Sequence, residues 1–234
     1  MHTAYCTELQ SDTIAAELNE TESNHVVKVL RRQEGDELQI SNGKGVKAIG
    51  TIKLAHPKKC MVSIHDFQYE EPQKNKIHIA IAPTKNMDRL EWFVEKATEI
   101  GVDKITLLKC KNNERKVVKM ERLEKIILSA MKQSQRFYLP ELIELTPIEK
   151  FISSNPNGGL AHCYDDLASD KGKTSIKLWN NSGPLLIGPE GDFTVEEVEL
   201  GLKNNYTTID LGQNRLRTET AAILGLTALV MNRI

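Results

Sequence analysis

A chain of 234 residues has room for one large domain or two modest ones, and 40% hydrophobic with 27% charged residues is the make-up of a packed protein rather than a disordered one. A formal net charge of −1 gives no global field for a polyanion, so any nucleic-acid contact must come from a local basic cluster. The first residues lack the charged-then-apolar order of a signal peptide, and the longest apolar run, 221–231, is too short to span a bilayer. Cys6, Cys60, Cys110 and Cys163 stand isolated rather than at metal or redox spacing, so a cytoplasmic protein with reduced thiols, no membrane and no metal is expected.

In chain order, 22–30 reads as a short helix carrying Lys28, with Arg31 and Arg32 at its end. Segments 37–41 and 46–54 read as strands joined by Asn42-Gly43-Lys44-Gly45, a strong hairpin signal. The alternation over 60–67 predicts a third strand, and a small β-barrel is the natural packing. The polar, Pro72-containing stretch 70–76 marks a boundary, giving domains 1–71 and 72–234.

Beyond it, strands alternate with helices. Segments 77–82, 105–108, 160–164, 184–187 and 207–211 are strand candidates. Leu90, Phe93, Val94, Ala97 and Ile100 mark one helix face ended by Gly101, and Met120, Leu123, Ile127, Ala130 and Ser134 trace a second. A helix follows at 194–204, and 219–231 is apolar nearly all round, so it must be buried in the core or against another subunit. This order predicts an α/β domain with a mostly parallel sheet and a ligand site at the strand carboxyl ends.

Two segments carry chemistry. In 185–194 an apolar strand runs into Gly188-Pro189-Glu190-Gly191, and Thr194 with Glu197 is spaced as a capping box. Glu190, Asp192, Glu196 and Glu197 crowd this loop, which disfavours a phosphate and suits a neutral or cationic guest. In 209–221 a second strand ends at Leu211-Gly212 and enters a helix past Arg215 and Arg217, with Thr218 a plausible N-cap. Taken alone, each segment also reads as an ordinary strand–turn–helix connection.

The order Glu-Lys-Ala-Thr-Glu-Ile-Gly (95–101), Lys-Gln-Ser-Gln-Arg (132–136), Ile-Gly-Pro-Glu-Gly (187–191) and Leu-Arg-Thr-Glu-Thr-Ala (216–221) resembles the bacterial 16S rRNA uracil-N3 methyltransferases of the knotted SPOUT class. His25 to Arg31 and Gly35-Asp36 resemble that family's PUA-like domain. The chain departs from the pattern at Asp192 and Gln135, where glycine is more common. The resemblance implies a PUA-like RNA-binding β-barrel over 1–71 and a SPOUT domain with a carboxyl-terminal trefoil knot over 72–234. It further implies S-adenosyl-L-methionine as methyl donor, 16S rRNA or the small ribosomal subunit as partner, and a homodimer. On its motifs, His162, Ile187, Gly188, Pro189, Glu190, Gly191, Leu211, Gly212, Leu216, Arg217, Thr218 and Thr220 are expected to hold the cofactor. Arg217 is expected to stabilise the anionic ring, with Glu219 or Glu190 accepting the proton. His25, Lys28, Arg31, Arg32 and Arg136, with Lys58 and Lys59, are the RNA-binding candidates. The competing readings are a related enzyme acting on a ribose 2′-hydroxyl or another base, and a non-catalytic ribosomal RNA assembly factor.

Overall fold

The computed structural model describes residues 2–164, 172–179 and 183–233. The chain forms two compact units, Met1–Gln73 with Leu128–Leu139, and Lys74–Ile127 with Pro140–Ile234. Among the described residues, no helix is long and apolar enough to cross a membrane, and no group of three or more His, Cys, Asp or Glu side chains is placed to hold a metal ion.

The first unit holds β1 (Thr3–Tyr5), β2 (Ala15–Glu17), α1 (Glu20–Asn24), β3 (Glu37–Ser41), β4 (Val46–Leu54) and β5 (Met61–Tyr69), in the sheet order β1-β3-β4-β5-β2. The expected hairpin is present as the antiparallel β3–β4 pair, and Val62 and Ile64 on β5 face the core with Leu38, Ile40 and Ile52. The short strands β1 and β2 escape sequence reading, because three residues carry too little periodicity to distinguish a strand from a loop. The Asn19 side chain caps α1, which passes into a π-helical turn over His25–Val29. The chain leaves that turn through Arg31 at φ 54°, a left-handed conformation unusual for a side chain of this size.

The second unit holds β6 (His78–Ile81), α2 (Met87–Ile100), β7 (Lys104–Lys109), α3 (Met120–Gln133), β8 (Glu141–Pro147), α4 (Ile148–Ser154), β9 (Gly159–Ala161), β10 (Thr174–Ser175), β11 (Leu185–Ile187), α5 (Val195–Lys203), β12 (Thr207–Asp210) and α6 (Thr218–Arg233). The last residues of α3, from Leu128, pack with the first unit. The sheet order is β10-β12-β9-β11-β6-β7-β8, and every pairing in it is parallel. Parallel strands point their carboxyl ends to one edge, which is where such sheets bind ligands. The core under that edge includes Ala80, Leu108, Leu160, Leu186, Phe193 and Val198. Gly101 ends α2 at φ 124°, as its position predicts. Sequence reading missed β8 and α4, whose segment has mixed polarity and is only partly buried along the strand.

Candidate active site

The exits of β9, β11 and β12 lie side by side. Ala161 pairs with Ile187 on one side and Ile209 on the other, and Ile81 at the end of β6 pairs with Ile187. The strands that lead into the two loops singled out in the sequence are not neighbours: β9 lies between β11 and β12, and brings His162 to the same edge. His162 is buried, and its Nδ1 accepts the Tyr164 backbone N–H at 3.2 Å.

The Gly188 loop and the start of α6 touch directly. Thr218 Oγ1 donates to the Gly188 carbonyl at 3.1 Å, so this threonine is the first helical residue and a donor to the loop, not the N-cap acceptor that its position suggested. A side chain at Gly188 would be tight: a Cβ there would come within 3.1 Å of the Phe193 ring and 3.2 Å of the Phe193 amide, so the ring would have to give by a few tenths of an ångström. Gly212 sits at φ 113° with open space where a Cβ would stand, so glycine is required there by conformation and not by crowding.

The four carboxylates of the loop are largely committed to backbone N–H groups. Glu197 is buried, closes a reciprocal capping box with Thr194, and takes the Lys111 N–H at 2.8 Å through Oε1. Asp192 stands at φ 63°, accepts the Cys163 N–H at 2.7 Å and the Phe193 N–H at 2.8 Å, and thereby clasps the β9 exit to the β11 exit. Tyr164 reinforces the clasp by donating to the Phe193 carbonyl at 2.7 Å. Glu190 Oε1 accepts the Lys85 N–H at 2.9 Å, and the hydrogen bond from Thr194 holds the Glu196 carboxyl below its ordinary range. The acidity of the loop is therefore mainly structural, and less of it is left to meet a cation than the sequence alone implied.

Of the three catalytic candidates, Arg217 is exposed at the entry to α6, and its carbonyl accepts the Ala221 N–H. Glu219 is buried, with Arg89 Nε 3.7 Å from its Oε1. Glu190 is exposed. Ile187 is buried at the end of β11, Pro189 and Gly191 complete its loop, and Leu211, Leu216 and Thr220 flank the β12 exit and the first turn of α6. All these residues fall on one sheet edge. Sequence reading missed Lys85, Arg89 and Asn112, whose amide donates to the Gly191 and Asp192 carbonyls at 3.1 and 3.0 Å. The exits of β6 and β7 would have pointed to Lys85 and Asn112 had the strand order been known.

The RNA-binding candidates all lie in the first unit. His25 and Lys28 ride on the π-helical turn, and Arg31 and Arg32 line a shallow cleft with Val27, Gln33, Glu34 and Ala55. Arg32 is 3.9 Å from Asp36, and Lys59 pairs with Glu17 at 3.1 Å. Arg136 follows α3, just after Gln135 at φ 55°, whose carbonyl accepts a hydrogen bond from the buried Lys47 ammonium.

Comparison with known proteins agrees with this layout. Residues 70–230 match the RNA methyltransferase domain model, and 18–64 match the RNA methyltransferase PUA domain model. The chain is 31% identical to the ribosomal RNA small subunit methyltransferase E of Rickettsia conorii, over 86% of this chain and 84% of that one. Its fold resembles a probable rRNA-methyltransferase from Porphyromonas gingivalis (36% identity, TM-score 0.85, covering 97% of this chain and 95% of that one). It is also similar to a putative methyltransferase from Legionella pneumophila solved with bound SAM (27% identity, TM-score 0.83, 97% and 96% coverage). An amino-terminal PUA domain, a parallel-sheet methyltransferase domain and a relative of this similarity together place the chain in the ribosomal RNA small subunit methyltransferase E family.

Proposed function

We propose that this protein methylates N3 of a uridine in 16S rRNA of the small ribosomal subunit, with S-adenosyl-L-methionine as donor. The observation that carries the reading is the joined pair of loops in which Thr218 Oγ1 meets the Gly188 carbonyl, in a chain of this family. The site fits that donor. It offers an apolar floor ending at Ile187, backbone groups exposed by glycines, and carboxylates already paired with amides, a set suited to hydrogen-bonding an adenosine and an amino acid. The donor bound there would supply an electrophilic methyl group.

The chain's own residues supply position and charge. His162, Ile187, Gly188, Pro189, Gly191, Leu211, Gly212, Leu216, Thr218 and Thr220 form the binding edge, and the Asp192 clasp keeps its loops in register. Arg217 stabilises the negative charge that builds on the uracil ring as N3 loses its proton. Of the two carboxylates, exposed Glu190 takes that proton; buried Glu219 acts as the anion that orients Arg89. The first domain (1–71), through His25, Lys28, Arg31 and Arg32, together with Arg136, holds the RNA backbone, and 72–234 forms the knotted catalytic domain. Partly apolar exposure on α6, at Leu224 (40%) and Met231 (70%), supports a homodimer.

The test is nucleoside mass spectrometry of 16S rRNA incubated with protein and S-adenosyl-L-methionine. The expected product is 3-methyluridine, and Arg217→Ala should lower kcat at least a hundredfold with little change in donor affinity. A ribose-methylated or other base product would replace this reading with the first alternative, and donor binding without any product would favour an assembly factor.

A further inference from the structure

The segment after β7 has a charge pattern unlike the rest of the chain. Residues 109–125 hold seven Lys or Arg against three Glu, in a protein of net charge −1. This segment is fastened to the candidate active site at four points. Asn112 bonds the Gly191 and Asp192 carbonyls, and the Lys111 N–H bonds Glu197. Arg115 Nε bonds the Thr84 carbonyl at 3.0 Å, and Glu114 pairs with Lys85 at 2.7 Å, the residue whose N–H holds Glu190.

These ties sort the charges. Arg115 is turned inward onto carbonyls, Glu114 is neutralised by Lys85, and Arg122 pairs with Glu91 at 2.6 Å. Lys116 and Lys119 are exposed, and among the described residues neither has an ion-pair partner. Between them Val117 is 76% exposed, an apolar side chain left in water on a loop that is otherwise held in place. Two unneutralised ammonium groups around an exposed aliphatic side chain, on a loop pinned to the Glu190 turn, form a surface for a polyanion that also offers a hydrophobic contact.

We propose that the 116–119 ridge is a second RNA-backbone site, on the catalytic domain, which grips phosphates flanking the target base while the first domain binds elsewhere on the RNA. Charge complementarity identifies the occupant: a phosphodiester chain brings one negative charge per nucleotide, and Lys is a point-charge partner without base preference. The proposal rests on the RNA-methyltransferase reading, while neither Lys116 nor Lys119 is assigned to cofactor or catalysis.

The test uses the full-length protein, transcribed 16S rRNA and the double variant Lys116→Gln/Lys119→Gln. Loss of two phosphate contacts should flatten the slope of log K against log salt by about 1.4 to 1.8. KM for RNA should rise about tenfold at moderate salt, with kcat and the dissociation constant for S-adenosyl-L-methionine unchanged. An unchanged slope and KM in the variant, with an active wild type, would overturn the ridge and leave the enzyme assignment intact. A wild type that binds the donor yet neither binds nor methylates the RNA would overturn both. A fall in donor affinity in the variant would mean that these lysines act through the cofactor loops, which also refutes the proposal.

Discussion

Asp192 offers the sharpest test of how the site is held together. In Asp192→Gly the left-handed conformation at φ 63° becomes free of strain, a gain of about 1 kcal/mol. Against this, the Cys163 and Phe193 N–H groups lose a charged acceptor at 2.7 and 2.8 Å. Hydrogen bonds to charged groups are worth about 1.5–3 kcal/mol each, and the lower figure applies because Asp192 is only partly buried and water can substitute. The net loss is about 2 kcal/mol of loop order. If the donor binds only the clasped arrangement, its dissociation constant should rise by about 30-fold. Asp192→Asn keeps an acceptor oxygen and tolerates the left-handed region, so a rise of about three- to fivefold is expected. Isothermal titration with S-adenosyl-L-methionine reads both. Affinity within twofold of wild type in Asp192→Gly would show that the loops keep their places without the carboxylate, and the clasp would then be irrelevant to binding.

Two further outcomes concern stability. Burial, with help from nearby Lys104, holds the His78 imidazole down at about 4, while its Nε2 lies 2.8 Å from Thr106 Oγ1. The folded state therefore binds fewer protons than the unfolded one between about pH 4 and 6.5, and stability must fall as pH drops through that window. Between pH 7 and 5 the loss from this group is about 2 kcal/mol, and urea unfolding of His78→Gln should lack that component; an identical pH dependence in both proteins would refute it. Gly225→Ala in α6 sets helix propensity against packing, because the new Cβ would lie 2.4 Å from Leu185 Cδ2 in the strand leading to the Gly188 loop. The propensity gain of about 1 kcal/mol should lose to an overpacking cost of about 1–3 kcal/mol at a fully buried leucine, so urea titration should show a less stable protein, and a stabilised variant would contradict the packing.

Local sequence determined those features that local physics enforces. The Asn42–Gly45 turn had to join β3 and β4, Gly101 had to end α2, and Thr194 with Glu197 had to open α5, since each depends on residues within a few positions of one another. The two glycine-bearing loops were legible for the same reason, and the order of four motifs carried the family. What sequence could not supply was which strand lies beside which. Strand order follows from how a dozen elements bury their apolar faces together, so the placement of β9 between β11 and β12, and with it the approach of His162, was open until the sheet was assembled. The same holds for the partners of the carboxylates. In the sequence, Glu190, Asp192 and Glu197 are an acidic cluster; in the fold, each meets a backbone N–H from a loop far away in the chain, at Lys85, Cys163 and Lys111. Whether a carboxylate binds a ligand or ties two loops depends on which donors stand within 3 Å of it, and only tertiary structure decides that.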